Sequence, residues 1–157
     1  MPIQPLTRQS LVMAALALLC LTGTVGADDK IFARLLAAKS LKCQLGEGAV
    51  GDWKSGKLTV RKNTFGITVY YDAIDRTQGT ARFIANGGSG RVIVHTTAAG
   101  LTFVEETRAG NLVISTVFAA YQPRTMAFIM VFSRHLSFFS FGTPLPSQYH
   151  GTCLVWE

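Results

Sequence analysis

The chain predicts an all-β protein: an antiparallel meander of eight or nine strands closing as a small β-barrel, with one short N-terminal helix. A β-sandwich is the alternative. Three observations carry this expectation. From Leu41 onward, short stretches alternate apolar and polar residues with the period of a strand that buries one face. Between them stand turn formers: Lys54-Ser55-Gly56, Asn63-Thr64-Phe65-Gly66, Asn86-Gly87-Gly88-Ser89-Gly90, Ala98-Ala99-Gly100 and Arg108-Ala109-Gly110. Links of that length pair consecutive strands as hairpins, and a meander of this size tends to close because closure removes exposed edges. Finally, Cys43 and Cys153 frame the strand region, so a disulfide between them would join the first and last strands at the seam.

The elements follow in order. Residues 1–27 hold Arg8, the apolar run Leu11–Leu21 and the small-residue stretch Val25-Gly26-Ala27, the pattern of a signal peptide cleaved after Ala27. The run is short for a bilayer span, which needs about 20 apolar residues. Cys20 leaves with the leader, because the residue before it is Leu19 rather than the small residue a lipoprotein signal needs. Residues 28–157 then form a single domain that is exported, periplasmic or extracellular, with no membrane span. Asp28 and Asp29 are placed to cap a helix over about residues 29–40, with Ile31, Phe32, Leu35 and Leu36 as its apolar stripe. Strands are expected at Lys42–Leu45, Lys57–Lys62, Gly66–Asp72, Gly79–Ala85, Arg91–Thr96, Leu101–Glu105, Asn111–Phe118, Met126–His135 and Gly151–Trp156. In the Met126–His135 segment Met126, Phe128, Met130 and Phe132 share one face, while Ile129 and Val131 make the other apolar as well, so helix cover or a central place in a sandwich is expected for it.

Charge narrows the partners. The formal charge is +6, and removing the leader takes only Arg8, which leaves +5. A moderately basic exported protein can meet anionic envelope surfaces, but the preferred reading of this charge is solubility alone. Its basic residues are scattered, with Arg61-Lys62 the only adjacent pair, so nucleic acid is excluded as a partner class.

No constellation of residues specifies catalysis. Ser133 or Ser137, His135 or His150, and Asp72 or Asp75 supply the residue types of a triad, but no G-x-S-x-G elbow surrounds a serine. His150-Gly151-Thr152-Cys153 has ligand-like spacing, and zinc would need Cys43 nearby, a further histidine such as His95 or His135, and reduced thiols; an exported location favours the disulfide instead. Asp72-x-x-Asp75 reads as a turn held by side-chain hydrogen bonds. Glu105-Glu106 reads as a strand end with its two side chains on opposite faces. No catalytic residue, metal site or cofactor is therefore assigned.

The expected site is the long connection before the last strand. It carries Phe138, Phe139, Phe141 and Tyr149, and it brings Arg134, His135 and His150 toward one end of the fold. Long loops on rigid scaffolds often carry binding, and the equal alternative is a lid that plugs the barrel with its phenylalanines. The working function is non-catalytic binding of a small apolar or amphipathic ligand, lined by Phe128, Met130 and Phe132, with Arg134, His135, Tyr149 and His150 at the mouth. If the barrel is filled, the alternative is an interaction or inhibitor module that binds an envelope macromolecule through its loops. A small hydrolase is the third option.

Gly51-Asp52-Trp53 resembles the G-x-W signature of lipocalins, and that resemblance implies a single-domain barrel for small apolar ligands. The run Gly142–Cys153 resembles the close of small exported bacterial β-proteins of unassigned function. Size, export and a terminal disulfide are similar to periplasmic inhibitors of C-type lysozyme; their inhibitory loop motif is missing, and a +5 chain is mismatched to a basic partner.

Overall fold

A computed structural model describes residues 27–157 apart from 108, 123 and 138–143. The leader call and the aromatic run Phe138, Phe139 and Phe141 lie outside the described residues. One helix, α1 (Ala27–Ala37), precedes nine strands: β1 (Leu41–Lys54), β2 (Lys57–Thr64), β3 (Thr68–Asp75), β4 (Thr80–Ala85), β5 (Gly88–Thr97), β6 (Gly100–Glu106), β7 (Leu112–Gln122), β8 (Ala127–Ser137) and β9 (Pro144–Val155). All pairings are antiparallel, in the order β2-β1-β3-β4-β5-β6-β7-β8-β9, and β1 also pairs with β9. Strands β1 and β3 to β9 therefore close an eight-stranded barrel, and β2 is the extra strand.

The seam is stapled as the cysteine spacing predicted. Cys43 and Cys153 stand directly opposite each other in the β1–β9 register and are disulfide-bonded. Both are fully buried, and Met130 Sδ lies 3.5 Å from Cys153 Sγ.

Alternation decides the interior. Leu41, Cys43 and Leu45 of β1, Val69 and Tyr71 of β3, Leu101 and Phe103 of β6, and Phe128, Met130 and Phe132 of β8 all point inward and are buried. Lys42, Asp72, Arg82, Arg91 and His95 face outward. This is the reverse of the apolar-out, polar-in alternation of a membrane-spanning barrel. No described helix is long and apolar enough to cross a membrane.

Helix α1 stoppers one end. Three of the four residues of its predicted stripe are used: Leu35 is fully buried, and Ile31 and Leu36 pack against the core, whereas Phe32 stands outside the core cluster. Asp28 and Asp29 fall within the helix rather than ahead of it. Leu35 sits over the start of β6 at Gly100, where φ is +148° and an added Cβ would come within 2.1 Å of the Val117 carbonyl oxygen. Only glycine fits there. Because α1 packs on β6 and β7, it leaves the outer face of β8 uncovered, and Ile129 is exposed. The helix cover or central sandwich place expected for that strand is thus not what the fold uses.

Two stretches that the sequence did not mark as strands are strands. β1 continues past Leu45 through Gly46, Gly48 and Gly51 to Lys54, and β9 begins at Pro144 rather than Gly151. Glycines and prolines weaken a strand reading. Here the prolines are tolerated because Ser147 is the last β9 residue paired with β1, so Pro144 and Pro146 lie where that edge needs no N–H donor.

Candidate interaction surface

The long β1 creates a second region. Its first four residues, Leu41–Gln44, pair with β3. From Glu47 it pairs with β2 instead, and the exchange is marked by Leu45 N–H donating to Ile67 O and Phe65 N–H donating to Gly46 O. On its other side it still pairs with β9, which pairs with β8. A four-stranded wing, β2-β1-β9-β8, thus extends from the barrel, closed at its tip by the two-residue turn Ser55-Gly56. Both turn residues have positive φ, 49° and 74°, as a type I′ hairpin requires.

The inner face of the wing closes the mouth of the barrel. Phe65 stacks toward Tyr149 at 4.9 Å and Phe132 at 6.3 Å between ring centroids. The Arg134 guanidinium covers Phe65 from 4.8 Å. Asn63 Nδ2 donates to Tyr149 Oη at 2.8 Å, which fixes the ring against β2. Between this stopper and α1, the space among Tyr71, Phe83, Phe103, Glu105 and Ser115 admits no water molecule. Burial pushes the Tyr71 hydroxyl well above its ordinary range, against the hydrogen bond with Ser115. Burial likewise pushes the Glu105 carboxyl up.

The seven residues expected to form a ligand site are therefore split. Phe128, Met130, Phe132 and Tyr149 are core side chains, and Arg134 lies at the mouth, half-buried. His135 and His150 project from the outer faces of β8 and β9 into solvent. His95 projects likewise from β5, and none of the three is hydrogen-bonded to a carboxylate among the described residues. The Asp75 turn forms as read, its Oδ1 accepting from Thr77 N–H and Gln78 N–H at 2.9 and 3.0 Å. Asp72 instead pairs across to Arg82 on the outer surface, and that hydrogen-bonded guanidinium holds its carboxyl below the ordinary value.

The outer face of the wing carries what the sequence reading missed. Trp53 stands opposite Leu58, and Gly51 opposite Val60. Trp53, Leu58 and Val60 are 42, 51 and 65% exposed. Gly51 is buried because Leu58 and Pro146 close over it; a Cβ there would lie 3.0 Å from Pro146 Cγ and 3.3 Å from Leu58 Cδ1. Trp53, Leu58, Val60 and Pro146 thus form one apolar face. Lys62 shares this face, whereas Lys54 and Lys57, on the rung next to the turn, and Arg61 alternate to the other face of the hairpin. Lys62 pairs with Glu47 at 3.0 Å and Lys54 reaches Asp52 only at 4.0 Å, while Lys57 and Arg61 have no ion pair among the described residues. The signal was present in the sequence: a Ser-Gly turn between Trp53-Lys54 and Lys57-Leu58 sets those pairs opposite each other once β1 is allowed to run that far.

These features define a closed eight-stranded up-and-down barrel with a stoppered interior and a projecting cationic and apolar hairpin. No family model, curated protein or solved structure matches the chain. Gly51-Asp52-Trp53, the residues of the lipocalin-like resemblance, belong to the wing, with the tryptophan in solvent rather than in the barrel.

Proposed function

We propose that this is a non-catalytic exported binding protein that engages a component of the cell envelope through the outer face of its wing. One observation carries the reading: the interior is packed and stoppered at both ends, while Trp53, Leu58, Val60 and Pro146 form a contiguous apolar face in solvent. Exposed apolar residues gathered on one element mark interaction sites. The leader-like segment and the Cys43–Cys153 bridge support export. The carrier reading, with a small apolar ligand inside the barrel, is less well served, because a ligand would have to displace Phe65, Tyr149 and the arginine above them.

The test uses mature protein, residues 28–157, mixed with isolated envelope material and sedimented. The expected result is saturable co-sedimentation that drops at least tenfold in Trp53→Ala/Leu58→Ala. Undiminished binding by the double variant, together with a small molecule released from wild type in native mass spectrometry, would move the function into the barrel.

A further inference from the structure

We infer that the occupant of the wing is an anionic lipid surface and that the β1–β2 hairpin enters it tip first. The inference rests on the binding-surface reading above and names its partner. Two successive rungs carry it. Lys54 faces Lys57 across the last rung before the turn, and Trp53 faces Leu58 on the rung behind it. A hairpin approaching a bilayer end-on would bring both rungs to the same zone. There an indole sits at headgroup level and Leu58 reaches the acyl boundary, while lysine stems extend to the phosphates. Every residue from Lys57 to Arg61 is exposed, so this entry uncovers nothing that the fold needs.

Charge and size select the lipid over other occupants. Between Glu47 and Thr64 the hairpin holds four basic residues, Lys54, Lys57, Arg61 and Lys62, against two acids, Glu47 and Asp52. Basic groups near an anionic leaflet each strengthen attachment. A second copy is opposed by the same charges, since Lys57, Arg61 and Lys62 line the open edge of β2, where they repel an identical strand. The partial exposure of three side chains also falls well short of the ~800 Å² per partner of a stable protein interface. Shallow apolar insertion assisted by basic residues is, by contrast, how peripheral proteins hold anionic membranes reversibly.

The experiment uses the mature disulfide-bonded chain carrying Trp156→Phe, which leaves Trp53 as its one tryptophan. Vesicles of phosphatidylcholine alone are compared with vesicles containing phosphatidylglycerol. The expected result is a blue shift and rise of Trp53 emission with the anionic vesicles only, reversed when salt shortens the screening length from about 10 Å to about 3 Å. Lys54→Gln/Lys57→Gln should weaken the apparent affinity ~30-fold. Leu58→Gln should abolish the shift, with an unchanged denaturation midpoint showing that the barrel is intact. A shift of equal size with both vesicles overturns the anionic assignment. A concentration-dependent shift without vesicles overturns the proposal in favour of self-association. No shift at all overturns it too; if Trp53 and Leu58 still govern sedimentation with envelope material, the binding-surface reading survives with a non-lipid partner, and if they do not, both fall.

Discussion

The barrel and the wing are built from the same strands but put their apolar residues to opposite uses. In the barrel, the even positions of β8, Phe128, Met130 and Phe132, close against β1, β3 and β6 and leave no room for water. In the wing, the outward positions of β1 and β2 place Trp53, Leu58 and Val60 in solvent, around a glycine that keeps the surface flat. The proposed function places stability in the barrel and recognition in the wing, and substitutions in the two regions should separate those properties.

The largest effect should come from the seam. A bridge spanning 110 residues stabilises by about 5 kcal/mol in the loop-closure account. Cys43→Ala/Cys153→Ala should lower the urea midpoint accordingly, and the native protein should resist reduction because both sulfurs are buried. A variant that unfolds no earlier than wild type would show that the closed sheet alone carries the barrel. Next is Phe103→Ala. Its ring is 1% exposed and stacks on Tyr71 at 4.0 Å between centroids, so the cavity left behind should cost about 3–5 kcal/mol by the same measurement. In both variants that remain folded, binding through the wing should persist.

Glu105 sharpens the boundary between the regions. Its carboxyl faces inward at the end of β6, and burial raises its pKa above the ordinary 4.5. A raised folded value means the native state holds the proton more tightly than the unfolded chain does. That contribution is complete below the ordinary glutamate value and is lost as pH rises through the folded value. Glu105→Gln should therefore be more stable than wild type at neutral pH, with the gain vanishing under acid conditions. Urea denaturation of both proteins at the two extremes measures the difference, and a gain of equal size at both would refute the assignment to burial of the charge.

Much of this architecture was legible in the sequence, and the illegible part has a physical cause. Alternation in Ile67–Tyr71 and Met126–Phe132 sorted side chains into two faces without saying which is inside. Val69, Tyr71, Phe128, Met130 and Phe132 point inward, whereas Met126, grouped with them, lies before β8 and is 52% exposed. The cysteine spacing named the seam. The extension of β1 was hidden because Gly46, Gly48 and Gly51 carry no side chain to alternate. The start of β9 was hidden because Pro144 and Pro146 lack the donor that a paired strand uses. Both stretches belong to the wing, so the reading missed the candidate surface as a unit and placed its site on the connection before Gly151. It also joined His135 and His150 to the inward aromatics, since periodicity gives two faces and the residues' chemistry does not say which is inside.

The smallest effect on stability should come from the wing itself, and it is the most discriminating. Trp53 and Leu58 face each other across the β1–β2 ladder, are 42 and 51% exposed, and stand outside the core cluster. Trp53→Ala and Leu58→Ala should each change unfolding free energy by no more than about 0.5 kcal/mol, as surface substitutions do. Co-sedimentation with envelope material should nevertheless fall at least tenfold in the double variant. A strand that contributes this little to folding yet keeps a tryptophan, a leucine and a valine in water holds them against the hydrophobic effect, and that cost is offset only if something outside the chain covers them. Should the two substitutions prove strongly destabilising instead, Trp53 and Leu58 would be structural, and the division between a barrel that folds and a wing that binds would fail.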